Sequence, residues 1–435
     1  MATHECRPVR APLDATVELP GSKSITNRAL VAAALADGRS LLTGILLADD
    51  TGLMIDALRA LGIAVTIGEA DCVAEVTGCH GFIPADEAEL SCGNSGTTIR
   101  FCTALVALGH GRFLLDGVAR MRERPIGALA GALTALGTGV EYQGAEGFPP
   151  IRVYANGLSG GTLELHSPES SQMVSALLLA APYAARDVFI DVTGARHSVG
   201  YLKMTAAVMR SFGVEVIEQY EDGGAKFVVA APQRYRETNY AVEPDASAAT
   251  YFLAAPAIAG GCVTVDGLGT ASIQGDAAFL YVLERMGCAI EGRALSLTVH
   301  GPQPGHRLAG IDVDLNDMPD TVPTLAAVAL FADGPTTIRG AANLRVKECD
   351  RLAALACELR KTGAEVDERP DGLCINPPLR FLRATLDTYH DHRLAMSFAL
   401  IGLRCPGITI NDPQCCRKTF PDFFARFERL AATAR

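Results

Sequence analysis

Lys23, Ser24 and Arg28 fall within two helical turns of each other in LPGSKSITNRAL, residues 19–30, where a Pro-Gly turn runs into an apolar stretch. A helix start favours negative charge, because its unpaired amide N–H groups and macrodipole already make that end positive. Two cations there cost stability unless an anion sits among them. The same residue types recur along the chain: Arg120, Arg122 and Arg124 in ARMRERPIG, then Ser170, Ser171 and Gln172, then Ser198 and Tyr201. Further on come Asn343, Arg345, Lys347, Glu348 and Arg351 in NLRVKECDRL, His392 and Arg393 in YHDHRLAM, and Arg417 and Lys418 in CCRKTF. Arg forks and Lys point charges with interspersed hydroxyls suit a substrate bearing phosphate and carboxylate groups. The isolated carboxylates Asp320 and Glu348 are then the reactive minority, expected to stay ionised among cations and to act as bases.

Each of these residues also has a plainer reading. An Arg-rich loop is commonly a solvated surface. Lys347, Glu348 and Arg351 suit a helical ion-pair face worth a few tenths of a kcal/mol. Asp320, Ser170 to Gln172, and His392-Arg393 all sit where capping residues sit. Independent surface features need not keep step with a repeat, however, and these do.

The elements that carry them repeat six times. GSKSITNRALVAAALADG, GNSGTTIRFCTALVALGHG, SSQMVSALLLAAPYAA, PDASAATYFLAAPAIAGG, MPDTVPTLAAVALFADG and YHDHRLAMSFALIGL each place a short polar motif before an Ala-rich apolar run. Their markers Ser24, Ser95, Ser171, Ser247, Thr321 and Asp391 lie 70 to 76 residues apart. Apolar on nearly all sides, these helices are predicted to be buried. β-rich runs follow near Ser40, Phe113, Val188, Val263, Thr336 and Ile408, each leading through a polar loop to an amphipathic helix. Five of those helices are predicted to stop at Gly62, Gly137, Gly213, Gly287 and Gly363. Six such units form an α/β chain. Two halves of three units each are more economical than one core, with residues 22–242 as one domain, 1–21 plus 243–435 as the other, and crossovers near 20–22 and 241–244.

Composition removes several function classes. The 435 residues are 49% hydrophobic and 20% charged, with mean hydropathy +0.20, enough to bury large cores. A net charge of −11 opposes nucleic acid and anionic membrane, so any anion site must be local. Thirteen cysteines without a C-x-x-C pair read as reduced thiols in a cytoplasmic protein. No stretch is long and apolar enough to span a bilayer. The chain lacks the GxxxxGK[ST], GxGxxG-after-strand, HExxH and GxSxG signatures, against ATP hydrolysis, nicotinamide chemistry, zinc hydrolysis and serine acyl transfer.

Composition and spacing reach phosphorylated acids and stop short of a reaction. LPGSKSITNRAL, GNSGTTIR, RMRERPIG, SSQMVSALLLAAP, RVKECDRLAALACELRKTGAEV, YHDHRLAM and KTFPDFF together resemble the 5-enolpyruvylshikimate-3-phosphate synthases from end to end. The resemblance implies two domains of three βαβαββ units each, buried parallel helices and an inter-domain active-site cleft. It implies transfer of the enolpyruvyl group of phosphoenolpyruvate to the 5-hydroxyl of shikimate 3-phosphate through a tetrahedral ketal, without cofactor or metal, by a cytoplasmic monomer.

Carried over by motif, Lys23, Asp320, Glu348 and His392 are the catalytic set. Lys23, Ser24, Arg28, Ser170, Ser171, Gln172, Ser198, Tyr201, Asp320, Asn343 and Lys347 match shikimate 3-phosphate contacts. Lys23, Asn94, Gly96, Arg124, Gln172, Arg351, Arg393 and Lys418 match phosphoenolpyruvate contacts. Gly96 in GNSGTT, with PGSKS, resembles the glyphosate-sensitive members, while Phe101 departs from the proline many relatives carry there. Two rivals remain at this level. The enolpyruvyl transferases of UDP-N-acetylglucosamine carry a reactive cysteine where this chain has GVARMRERPIG. A non-catalytic anion-binding paralogue would not need to keep Lys23, Asp320, Glu348 and Lys418 together.

Overall fold

Six helices are buried nearly all round. They are α1 (Lys23–Leu35), α3 (Gly96–Val106), α5 (Ser171–Ala180), α7 (Ala246–Ala259), α9 (Val322–Ala329) and α11 (His392–Gly402). Between them lie α2 (Asp49–Ala60), α4 (Gly127–Ala135), α6 (Val199–Ser211), α8 (Phe279–Arg285), α10 (Arg351–Lys361) and α12 (Phe423–Ala432). The computed structural model describes residues 2–194, 198–221, 223–303 and 305–433. Ala-rich sequence explains the first set. Small side chains let helices pack on every face, and in α7 all fourteen residues are buried. The second set buries one face only; in α2 that face is Asp50, Thr51, Met54, Ile55, Ala57 and Leu58. The predicted stops hold: Gly62, Gly137, Gly213, Gly287 and Gly363 all take positive φ just past a helix end.

The chain divides into two units, residues 21–242 and residues 1–20 with 243–435. In the 21–242 unit, α1, α3 and α5 pack on one another. Three four-stranded sheets surround them, alike in pattern. Glu87–Ser91 runs parallel to His110–Asp116, which pairs antiparallel with Ile151–Asn156, and that strand with Gly139–Tyr142. Gly161–His166, Val188–Thr193, Gly224–Val229 and Ile217–Glu221 repeat the order. The sheet built on Arg39–Thr43 takes its parallel strand from the far end of the unit, Asn239–Ala241.

The other unit packs α7, α9 and α11 together and repeats the sheets. Here the N-terminal segment fills gaps that the repeat leaves. Leu13–Glu18 lies parallel to Gly261–Asp266, and Thr3–Glu5 lies antiparallel to Ile408–Asn411. The sixth unit therefore departs from the simple repeat: its sheet has three strands, because the chain runs into α12 and no hairpin follows. Every cysteine is a free thiol, and no helix among the described residues is long and apolar enough to cross a membrane.

Candidate active site

Many of the predicted polar residues lie at the mouths of the buried helices, five of which start at a capping side chain. In the 21–242 unit Ser22, Ser95 and Ser170 accept from the backbone N–H groups of Ile25, Thr98 and Gln172. Lys23 opens α1 and its Nζ lies 3.3 Å from Asp50 Oδ2, in the first turn of α2. Arg28, one turn further in, is 1% exposed and faces the interior. Its Nε donates to Thr205 Oγ1 at 2.7 Å, Nη1 to the Ser24 carbonyl at 2.8 Å, and Nη2 to Ser175 Oγ and the Tyr201 carbonyl at 3.2 and 3.3 Å. Those bonds occupy four of its five N–H groups. Burial without a carboxylate pulls its pKa down to about 10. Phe101 has a place in this arrangement: Arg28 Cζ lies 5.3 Å from its ring centroid.

Gly96 begins α3 beneath two guanidinium groups. A Cβ on it would stand 2.3 Å from Arg124 Nη2 and 2.8 Å from Arg100 Nη1. Arg124 is 3% exposed and donates through Nη1 to the carbonyl and side-chain oxygens of Asn94, at 3.0 and 3.3 Å. Its Nε is buried without a partner, and no carboxylate pairs with it among the described residues. Arg100 donates to Gln172 Oε1 at 2.7 Å, and Gln172 Nε2 to Thr97 Oγ1 at 3.1 Å, joining the mouths of α3 and α5. Ser171 is buried at the start of α5. Ser198, the N-cap of α6, is held in the left-handed region at φ 50°, a conformation that costs free energy in a non-glycine residue and collects at functional sites. The rest of the loop before it, residues 195–197, lies outside the described residues.

The other unit holds an alternating ionic network. Arg351, 1% exposed at the start of α10, donates Nε to Asp391 Oδ2 at 2.7 Å, Nη1 to Asp320 Oδ1 at 3.0 Å and Nη2 to Glu348 Oε2 at 2.8 Å. Arg393 Nη2 reaches Asp320 Oδ2 at 2.7 Å, and Lys347 Nζ lies 3.7 Å from Asp320 Oδ1. Lys418 Nζ lies 3.3 Å from Glu348 Oε1. His392, fully buried, sets Nδ1 3.8 Å from Asp391 Oδ1. Asn343 is half-buried in the short turn Ala342–Val346 that precedes Lys347.

Two of the plainer readings are corrected here. Asp320 is no helix cap: it sits in the turn Pro319–Thr321 ahead of α9 with its side chain in ion pairs. The Glu348–Arg351 pair is buried, not a solvated face. The capping reading does hold for Ser170, and at the mouth of α11 the cap is Asp391, which accepts from Arg393 N at 2.9 Å.

Four polar residues of the clusters escaped the candidate set. Arg100 stood inside the quoted GNSGTTIR motif, and Asp391 inside YHDHRLAM. Asp50 reads locally as an acid complementing a helix dipole. Asp276 carried no local signal, yet it is buried, takes a hydrogen bond from Ser247 Oγ, and has its pKa pushed up to about 6 by burial and by Asp320. With it, the acids Asp276, Asp320, Glu348 and Asp391 equal the cations Lys347, Arg351, Arg393 and Lys418 in number. No group of three His, Cys, Asp or Glu among the described residues is arranged to hold a metal ion.

Relatives share this architecture. The enolpyruvyl transferase NikO of Streptomyces tendae superposes with a TM-score of 0.75 over 98% of this chain and 96% of its own, at 19% identity, which places the chain in the enolpyruvyl transferase fold. The EPSP synthase of Acinetobacter baumannii superposes with a TM-score of 0.80 at 26% identity, over 98% of both chains. The 3-phosphoshikimate 1-carboxyvinyltransferase of Nostoc punctiforme is 49% identical over 99% of both sequences. The profile of the EPSP synthase (3-phosphoshikimate 1-carboxyvinyltransferase) family matches residues 9–427, and the chain belongs to that family.

Proposed function

We propose that the chain transfers the enolpyruvyl group of phosphoenolpyruvate to the 5-hydroxyl of shikimate 3-phosphate and releases inorganic phosphate. Family membership supplies the reaction. The observation that carries it is Arg124: a buried guanidinium with no carboxylate partner among the described residues, beside the N-terminus of α3, where the missing side chain of Gly96 leaves room. A guanidinium and a helix N-terminus together attract a phosphate or a carboxylate. Lys418, Arg351 and Arg393 complete the proposed phosphoenolpyruvate contacts, with Asn94, Gln172 and Lys23. Lys23, Ser24, Arg28, Ser170, Ser171, Gln172, Ser198, Tyr201, Asp320, Asn343 and Lys347 are the proposed shikimate 3-phosphate contacts.

In the addition step the 5-hydroxyl oxygen attacks the enol carbon, its proton passes to Asp320, and the methylene takes a proton from Glu348, which enters this step in its protonated form, giving the ketal. In the elimination step the methyl returns a proton to Glu348 as the C–O bond to phosphate breaks, and the departing phosphate takes the proton held by Asp320, which restores both carboxyl groups. Lys23 and His392 are the further proposed proton-transfer and charge-stabilising groups. Asp320 is held in ion pairs with Arg351, Arg393 and Lys347. Substrate anions that draw those cations away would release its carboxylate to accept the hydroxyl proton.

A monomeric cytoplasmic enzyme inhibited by glyphosate is part of the same proposal, the last supported by the space at Gly96. The test is phosphate release from phosphoenolpyruvate on adding shikimate 3-phosphate. Release with that acceptor and none with UDP-N-acetylglucosamine is expected; the reverse pattern overturns the proposal.

A further inference from the structure

Away from the ionic clusters, the unit of residues 1–20 and 243–435 contains a half-enclosed cavity of about 630 Å³. Its floor is apolar: Ala399 and Leu403 from the C-terminal end of α11, with Phe427 and Ala431 from α12. Its wall is the N-terminal segment, which the reaction does not use. That wall is pinned. Thr3–Glu5 is paired with Ile408–Asn411, Cys6 N donates to the Ile408 carbonyl at 2.9 Å, and Val9 N to the Leu403 carbonyl at 2.9 Å.

Arg7 and Arg10 line the cavity from this wall. Both are exposed, and neither has an ion-pair or hydrogen-bond partner among the described residues. The acid lining the cavity, Glu428, is turned to His4, whose Nε2 lies 3.8 Å from its Oε1. A preformed apolar pocket of ligand size with convergent charged groups is the usual form of a small-molecule site, and two open guanidinium forks select a planar carboxylate. We infer that this cavity binds a small carboxylate with an apolar body, the carboxylate on Arg7 and Arg10 and the body on the floor between α11 and α12.

The location gives such a ligand a lever. α11 begins with His392 and Arg393 in the ionic network and ends at the cavity; Arg393 to Gly402 spans about 13 Å at 1.5 Å per residue. An occupant therefore presses on the far end of the helix that carries Arg393.

The test is a calorimetric or NMR titration of the full chain with 3-phenylpropionate, in which the loss of binding in an Arg7 and Arg10 double variant separates this cavity from the ionic clusters. Saturable 1:1 binding is expected, weakened about tenfold or more when 3-phenylpropanol or phenethylamine replaces the acid and when Arg7→Ala and Arg10→Ala are combined. Both arginines are exposed, so the double variant should keep its melting temperature. Binding that is absent, equal for the alcohol, or unchanged in the folded double variant would overturn the inference.

Discussion

A single methyl group at position 96 tests the proposed phosphoenolpyruvate site most sharply. Gly96 is not among the glycines at positive φ, so alanine fits the backbone without strain, and helix propensity favours it. All of its cost is therefore steric. The new Cβ would meet Arg124 Nη2 at 2.3 Å, and non-bonded contact requires about 3.5 Å, so the guanidinium must retreat by about 1 Å. Its Nη1 contacts to Asn94, at 3.0 and 3.3 Å, cannot both survive that shift. One hydrogen bond to a charged group contributes about 1.5–3 kcal/mol, and each 1.4 kcal/mol is about tenfold in binding. Gly96→Ala should therefore raise the KM for phosphoenolpyruvate about 10- to 100-fold. The KM for shikimate 3-phosphate should stay within about threefold, because uniform binding of one substrate is what is lost. Initial rates of phosphate release at varied phosphoenolpyruvate read this directly, and a thermal melt within a few degrees of the parent excludes unfolding. An unchanged KM in the folded variant would show that Arg124 does not hold that substrate.

Glu348→Gln and Asp320→Asn should each cut turnover at least ~100-fold with the fold retained, the usual size of a lost acid or base; near-normal initial rates in either would remove that residue from proton transfer. Arg351→Met would strand Asp320, Glu348 and Asp391 without their shared guanidinium, and urea unfolding should show a loss of about 3–5 kcal/mol. A loss under about 1 kcal/mol would mean that water already screens those pairs. Asp276 is raised from 3.8 to about 6 by burial and then by Asp320. A raised carboxyl binds its proton more tightly in the folded state. Its contribution is present below about pH 4 and lost as pH rises through about 6, on the order of 3 kcal/mol. Asp276→Asn should thus gain stability over the parent at pH 8 and little at pH 4; an equal difference at both pH values in urea titrations would refute the shift.

What could be seen in the sequence was local. Ala-rich runs announced buried helices, small polar residues their starts, and glycines their stops, because each of these is settled within a few residues of the chain. Partners are not. Arg351 meets acids 31 and 40 residues away, and Arg393 meets one 73 residues away. Read loop by loop, those cations looked like surplus charge waiting for a substrate, whereas folding hands each one a carboxylate. The same distance hid the partners of Arg28, which donates hydrogen bonds to hydroxyls 147 and 177 residues away and to two backbone carbonyls.

An asymmetry follows that no single motif could carry. In the ionic cluster of the unit of residues 1–20 and 243–435, four cations stand with four acids. In residues 21–242 the buried guanidiniums of Arg28 and Arg124 have neutral acceptors among the described residues. A buried charge without a counter-charge is held at a cost, and an arriving anion relieves it. An anion arriving at Arg124, at the mouth of α3, would therefore meet no competing carboxylate among the described residues, whereas one reaching Arg351 or Arg393 would first compete with Asp320, Glu348 and Asp391. That competition is also what would free the two proposed bases.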